Sequence, residues 1–323
     1  MRTWAAVAIL LAAGLSLTGC GPKREPGATL MSWAYPQSKT EPQPPTPPDP
    51  IHVPGSALSF TNAQVADDKN PVDWFPDEHP APPPVVAHQR EGGPTPCAEC
   101  HLYNGRGFIS AADLAGLSAP YIIQQVQEFR AGRRASAQHD RHDVEEMAKV
   151  ADKVSDPELA QAAAYFAALP RTPFVRVVET DTVPVTKAFS FGWLEPVPNG
   201  GTEPIKGRII EVSEDMPTLY LGDAHIGLVD YVPPGAVARG EALVKSGGKG
   251  GQPCAACHGP ELKGAGDVPP LAGRSATYLA RMLWDIKTGA RQGPAVTVMQ
   301  APARGLGGAE ITDVVAYLAS RKP

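Results

Sequence analysis

The sequence predicts a mainly α-helical protein in which two small helical domains lie in tandem, joined by a long irregular or extended segment. Residues 90–170 and 235–323 form an internal repeat, because a single offset of 157 residues (254 − 97) aligns a series of matching positions. It aligns Leu114-Ala-Gly116 with Leu271-Ala-Gly273 and Tyr121 with Tyr278. Residues 172–234, between the repeats, are rich in proline and β-branched residues, which favours extended structure.

Helical periodicity and capping residues support the helical character of both repeats. Apolar residues between Tyr121 and Arg130 recur close to every 3.6 residues. Ser155 precedes Glu158 with a proline between them, which predicts a helix start with serine as the N-cap. The alanine-rich stretch 159–169 that follows has its counterpart at 309–320. Each repeat is therefore expected to close with a helix.

The start of the chain has the pattern of an export signal. Arg2 precedes an apolar run from Trp4 to Leu17, which is too short for a confident membrane span. The run ends in Leu17-Thr-Gly-Cys20, which resembles the lipobox of bacterial lipoproteins. This resemblance implies a signal peptide over residues 1–19, acylation of Cys20, and a location on the periplasmic side of a membrane. The alternative is an ordinary signal peptide with an incidental cysteine.

Residues 20–80 are predicted to form a proline-rich tether. Proline makes up 36 of the 323 residues, about twice its average usage, and the excess lies largely in this region. Such a segment buries little apolar surface and favours extended polyproline II, so residues from Gly21 to about Phe60 should hold the domains away from the membrane. The net charge of −5 argues against a nucleic-acid partner, which requires a basic face.

The remaining four of the five cysteines form two copies of a C-x-x-C-H motif, the signature of covalent c-type haem attachment. The motif residues are Cys97, Cys100 and His101 in the first repeat, and Cys254, Cys257 and His258 in the second. Two thiols three residues apart lie on one side of a helical turn and can form thioethers with both haem vinyl groups. The histidine that follows then lies beneath the iron. A zinc site and a thioredoxin-like site are the alternatives.

Each repeat resembles a class I cytochrome c domain, and the pair resembles the dihaem cytochrome c4 group. The resemblance rests on the two motifs, the Leu-Ala-Gly and tyrosine region, and the closing helix. It implies cytochrome domains at residues 81–171 and 235–323 with a connecting segment at 172–234, and two covalently bound haem c groups with their iron. In this family a first helix crosses the last one. Gly240 to Lys245 could form it, whereas upstream of Cys97 only residues 85–88 are available, so one haem edge is expected to be exposed or covered by residues 172–234.

The resemblance also implies a methionine as the sixth iron ligand in each domain. Met299 is expected to serve in the second domain, from a proline-flanked loop before the last helix, with Met282 as the alternative. In the first domain, the count forward from Cys97 selects His142, whereas the count backward from the closing helix selects Met147. The polar loop after Arg134 can absorb this difference, so we expect Met147 and keep His142 as the alternative.

These features predict an electron carrier rather than an enzyme, which would pass single electrons between a redox donor and a redox acceptor outside the cytoplasm. Arg274 is a candidate partner for a haem propionate, and Arg134 and Arg291 are further candidates. A dihaem peroxidase-like enzyme is the main alternative. It would need one iron with an open or displaceable sixth position, and the two methionine candidates argue against it. A structural or sensory haem lipoprotein is a third interpretation.

Overall fold

The computed structural model describes residues 31–44, 46–139 and 141–323. The predicted signal peptide and Cys20 lie outside the described residues. Within these ranges no helix has both the length and the hydropathy needed to cross a bilayer. Helices dominate the fold, as predicted, but the segment between the two repeats adds β-structure.

The first repeat is a small helical unit around its own apolar core. Its helices, with one short helix that precedes it, are α1 (Asn62–Val65), α2 (Pro84–Ala87), α3 (Cys97–His101), α4 (Ala119–Arg130), α5 (His142–Lys153) and α6 (Asp156–Ala168). Phe166 and Val86, 1% and 0% exposed, lie at the centre of the core. Helix α6 begins with the predicted capping box, in which Ser155 and Glu158 satisfy each other's backbone amides.

Residues 172–234 fold into a β-rich insert that packs against both repeats. Its elements are β1 (Val175–Glu179), β2 (Thr182–Pro184), β3 (Thr186–Ala188), β4 (Leu194–Pro196), β5 (Thr202–Pro204), β6 (Ile210–Ser213), α7 (Met216–Leu219) and β7 (Leu228–Val232). Strand β7 is central, parallel to β1 and antiparallel to β6. Ile209 and Val232 enter the core of the second repeat, whereas Phe189 and Trp193 cluster with Ile109 of the first. The connecting segment therefore contains short strands joined by loops and contacts both repeats.

The second repeat contains α8 (Ala236–Ser246), α9 (Ala255–His258), α10 (Ala276–Thr288), α11 (Pro294–Gly305) and α12 (Gly308–Ser320). Helix α8 crosses α12 so closely that a Cβ atom on Gly240 would lie 1.9 Å from the carbonyl oxygen of Asp313. Only glycine permits this approach. The predicted first helix is thus present in the second repeat, whereas the corresponding place in the first repeat holds only α2, four residues long.

Residues 31–80 differ from the predicted extended tether. We call residues 31–41 the N-terminal strap, because they contact both the second repeat and the insert. Tyr35 is 4% exposed, and its hydroxyl donates to Asp285 Oδ1 at 2.7 Å. The backbone oxygen of Thr40 accepts from the amide of Ser190 in the insert. Further along, Trp74 is 3% exposed and its Nε1 donates to the Leu221 carbonyl. Aromatic side chains therefore fix a segment whose proline content predicted a free chain.

Candidate haem sites

The two C-x-x-C-H motifs lie on short helices that present both thiols near one histidine. In the first repeat the motif is helix α3, preceded by Pro96, which favours the helix start. In the second repeat Cys254 is the N-cap of α9. All four motif cysteines are free thiols. The local sequence therefore produces the same single helical turn twice, with its thiols available for covalent attachment.

The two motif histidines are held by equivalent hydrogen bonds. His101 Nδ1 lies 2.8 Å from the Ala112 carbonyl oxygen, and His258 Nδ1 lies 2.7 Å from that of Pro269. Both acceptors stand eleven residues after their histidine (112 − 101, 269 − 258). A carbonyl accepts only from a protonated nitrogen, so each ring carries its proton on Nδ1 and leaves the Nε2 lone pair free for a metal. His258 Nε2 is buried without a hydrogen-bond partner.

Burial favours the neutral forms of the two motif histidines and of the first cysteine in each motif. It lowers the pKa of His101 to about 4 and also lowers the pKa of His258, so both rings are neutral, the form that binds iron. It raises the pKa of Cys97 to about 12 and raises that of Cys254. A thioredoxin-like or zinc-binding cysteine requires a stabilised thiolate, and these environments disfavour one.

A cavity of about 780 Å³ opens beside Cys97, Cys100 and His101, within the range of cofactor pockets. Three parts of the chain enclose it. The first repeat supplies one wall, the insert and the 65–79 segment a second, and the second repeat a third. Met147 and Phe166 represent the wall from the first repeat, and Tyr278 represents the wall from the second repeat. The wall from the insert and the 65–79 segment includes Trp74, Trp193 and Tyr220.

The cavity walls show what covers the haem edge of the first repeat, and they include residues that the sequence analysis did not identify. The edge left open by the missing first helix is covered by residues 172–234, one of the two expected outcomes, together with residues 65–79. Trp193, Tyr220 and Trp74 were not anticipated as site residues. The closely spaced aromatics Phe189, Phe191 and Trp193 were the available signal, but their position depends on the folded insert.

Comparison with known proteins identifies the family of the chain. The sequence profile of the family "Cytochrome c" matches residues 237–322. Cytochrome c-554(548) of Halomonas halodenitrificans is 37% identical over 70 residues, which cover 84% of that protein and 21% of this chain. The chain belongs to the cytochrome c family. It is an electron-transfer protein that carries covalently bound haem c.

Other relatives of this cytochrome span both repeats. The "Thiosulfate dehydrogenase electron acceptor" of Stutzerimonas stutzeri is 25% identical over 240 residues, covering 71% of this chain and 82% of that protein. Cytochrome c4 of Pseudomonas aeruginosa is 26% identical over 228 residues, covering 69% and 82%. The thiosulfate dehydrogenase TsdBA structure from Marichromatium purpuratum is 27% identical with a TM-score of 0.48. It covers 70% of this cytochrome but 36% of that chain.

The two candidates for the sixth ligand of the first haem both lie on helix α5 and both line the cavity. Met147 packs against the core of the first repeat. The His142 side chain is 44% exposed, and its ring stands edge-on to Phe191 with centroids 4.7 Å apart. The surroundings of Met147 are apolar and suit a thioether, whereas His142 already has an aromatic partner. This contrast favours Met147, which stays a prediction.

In the second repeat the structure corrects the surroundings of Met299. The expected proline-flanked loop is helix α11, and Met299 lies within it, half-buried against Leu283 and Val296. Pro294 occupies the first turn, where its missing amide costs nothing, so it starts a helix instead of preventing one. The alternative, Met282, lines the cavity of the first repeat, with its sulfur 3.2 Å from Arg291 Nη1 and 3.9 Å from Arg134 Nη2. Ligation by Met299 stays a prediction.

Arg274 has a partner that the sequence did not suggest. The residue is 3% exposed, and its Nη1 donates to the Asp113 carbonyl at 2.7 Å and lies 3.6 Å from the Asp113 carboxylate. It therefore links the two repeats. Its Nη2 is buried without a hydrogen-bond partner, so one donor is left for a haem propionate, and that contact stays a prediction.

Arg134 and Arg291 meet across the boundary between the repeats and both line the cavity. Arg134 Nη1 and Arg291 Nη2 both donate to Gln125 Oε1, at 3.1 and 2.7 Å. Arg291 Nη2 also donates to the Tyr121 hydroxyl at 3.1 Å. Within the described part of the chain neither guanidinium forms an ion pair with a carboxylate, and Arg291 Nε has no partner. Two adjacent cations, one buried and one partly buried, without a carboxylate partner fit the carboxylates of a haem.

Proposed function

We propose that this cytochrome is a membrane-tethered dihaem carrier that passes single electrons between redox partners outside the cytoplasm. The observation that carries the proposal is the equivalence of His101 and His258, each with Nδ1 held by a carbonyl and Nε2 free. Residues 81–171 and 235–323 are proposed as two class I cytochrome c domains, joined by residues 172–234. Haem c supplies a one-electron iron centre when bound.

The residues of this chain are proposed to hold and tune that centre. Cys97 with Cys100, and Cys254 with Cys257, form the thioethers, and the histidines are the proximal ligands. Met147 and Met299 are the proposed sixth ligands. A histidine–methionine pair raises the reduction potential and leaves the iron with no open position, which suits electron transfer. The aromatic wall of the first cavity excludes water from the haem face.

The proposed setting is the periplasmic side of a membrane, with Cys20 acylated. One relative is named for accepting electrons from thiosulfate dehydrogenase, which supports a protein donor for this cytochrome. A second redox protein would be the acceptor. Neither partner is a nucleic acid in this proposal, in accord with the net charge of −5.

The number of haems and their ligands can be tested in two measurements on the purified protein. Denaturing mass spectrometry should show two haem additions, and the variant Cys254→Ala/Cys257→Ala should show one. A redox titration followed by absorption should then resolve two low-spin centres. A single addition to the unmodified chain would contradict the dihaem proposal. Rapid CO binding to one ferrous haem would favour the peroxidase-like enzyme.

A further inference from the structure

Two carboxyl groups are buried side by side where the insert meets the second repeat. Glu211 lies on β6 and Asp230 on β7, and they are direct register partners in the antiparallel pair. They are 3% and 0% exposed. Residues directly opposite each other point to the same face of the sheet with their Cβ atoms about 5 Å apart. The two carboxyl groups therefore face each other within the protein interior.

Helix α10 supplies hydrogen-bond donors to three of the four carboxyl oxygens. Ser275 Oγ donates to Glu211 Oε2 and Thr277 Oγ1 donates to Glu211 Oε1, both at 2.5 Å. The Ala276 amide donates to Asp230 Oδ2 at 2.9 Å. The fourth oxygen, Asp230 Oδ1, is buried and has no hydrogen-bond donor. A carboxyl oxygen in this position is satisfied if it carries a proton and donates it to the neighbouring carboxylate.

The charges around this pair do not replace that proton. The nearest cation is Arg281 of α10, which is 4% exposed and donates through Nη1 to the Ala34 carbonyl. This single charge also interacts with Glu211, Asp143 and Tyr35 and is opposed by the like charge of Arg141, so it does not neutralise two carboxylates.

The other elements packed on the sheet add no cation to the pair. Strand β1 places Val177 opposite Asp230. The carboxylate of Glu195 in β4 binds Tyr220, and that of Asp313 in α12 binds Arg239. Within the described part of the chain neither Glu211 nor Asp230 has an ion-pair partner. Desolvation, and then the adjacent charge of Glu211, raise the pKa of Asp230 well above its usual range.

We propose that Glu211 and Asp230 form a proton-binding site that holds one shared proton, and that its occupancy sets how tightly the insert docks on the second repeat. Loss of the proton places two negative charges opposite each other between β6, β7 and the start of α10, which pushes the sheet from the helix. Strand β4 packs against β6 and directly follows Trp193, a wall residue of the first haem cavity. Extracytoplasmic pH is thereby linked to the covering of that cavity.

The sign of the effect follows from linkage. The docked state binds the proton more tightly than the undocked state, because the carboxyl pKa is raised on burial. Docking therefore weakens as pH rises from the ordinary carboxyl pKa through the raised one. The docking equilibrium changes by up to about tenfold per pH unit for one proton. Below this window both states are protonated and the dependence disappears.

The test compares variants of the haem-loaded protein across pH 4 to about 9. In Asp230→Asn, the amide oxygen can accept from Ala276 and the amide nitrogen can donate to Glu211, so a neutral group replaces the shared proton. We expect its melting temperature to exceed that of the wild type increasingly as pH rises. Glu211→Gln is a second variant that removes the same charge. Asp181→Asn, an exposed carboxyl of the same insert, is the matched control and should follow the wild type.

Difference infrared spectroscopy gives a readout independent of stability. The wild type should show a carbonyl stretching band from a protonated carboxyl, and this band should disappear when the pH is raised. Asp230→Asn and Glu211→Gln should both lack this band. Parallel melting curves for wild type and Asp230→Asn at all pH values would overturn the proposal. So would an infrared band that persists in both variants. Neither outcome would affect the haem-carrier proposal, since haem attachment is measured separately.

Discussion

Replacing Gly240 by alanine should lower the temperature at which the second repeat unfolds. The added Cβ would lie 1.9 Å from the Asp313 carbonyl oxygen and 2.8 Å from Tyr317 Cβ, and real Cβ contacts essentially never fall below 3.0 Å. Helices α8 and α12 must therefore separate by about 1.1 Å. The obstacle is backbone, so no rotamer change relieves it.

The free-energy cost of separating α8 and α12 opposes the gain in helix propensity from replacing glycine by alanine. Alanine stabilises a helix interior by about 1 kcal/mol relative to glycine. Overpacking of a core typically costs about 1–3 kcal/mol and occasionally more, and a backbone clash belongs at the upper end. We expect a net loss of about 1–2 kcal/mol. For a unit of this size that lowers the melting temperature by about 4–16 °C.

The assay is thermal unfolding of the haem-loaded protein, followed by circular dichroism and by the absorption of each haem. Gly308→Ala is the matched control, since Gly308 is also helical and a Cβ there would meet only Met31 Sδ at 4.0 Å. It should be neutral or slightly stabilising. If Gly240→Ala melts with the control, the close helix crossing does not hold the second repeat together and the reasoning fails.

Three further predictions address the ligand, the anchor and a helix cap. Met147→Ala should remove one of two weak near-infrared bands of methionine-ligated ferric haem and open that iron to CO. If His142→Ala removes the band and Met147→Ala does not, the sixth ligand of the first haem is His142. Cys20→Ser should release the protein from membranes or block its processing, and sedimentation with salt-washed membranes would contradict the anchor. The Arg90 guanidinium and the Ser155 amide lower the pKa of Glu158 to about 2. The stability that the ionised Glu158 carboxylate contributes is therefore present above its ordinary pKa and is lost as pH falls towards 2. Glu158→Gln keeps the cap but should flatten that acid loss in a pH series of melting temperatures, and parallel curves would refute the linkage.

The parts of the fold that were predictable from the sequence are those determined by near neighbours in the chain. Ser155 and Glu158 define the start of α6 because both partners of the cap lie within one turn. The same holds for the histidine geometry, since the motif and the loop that follows it fix His101 against Ala112. Local rules also found the missing first helix of the first repeat.

The parts that were not predictable depend on residues far apart in sequence. The burial of Tyr35 requires Asp285, 250 residues away, so proline content alone suggested a free chain. Met299 was expected in a loop because prolines flank it. Packing of Val296 and Ala303 against Ile286 instead holds the segment as a helix through Pro302. The wall formed by Trp193 exists only once the insert has folded.

The docked N-terminal strap limits how far the haem domains can lie from the membrane. With Cys20 acylated as proposed, ten residues (21–30), and so eleven residue-to-residue steps, separate Cys20 from Met31, which is buried in the core of the second repeat. A fully extended chain spans at most about 3.3–3.6 Å per residue, so the strap lies within about 40 Å of the bilayer surface. A partner anchored in the same membrane is then met by a two-dimensional search, and its density per unit area, rather than its bulk concentration, sets the encounter rate.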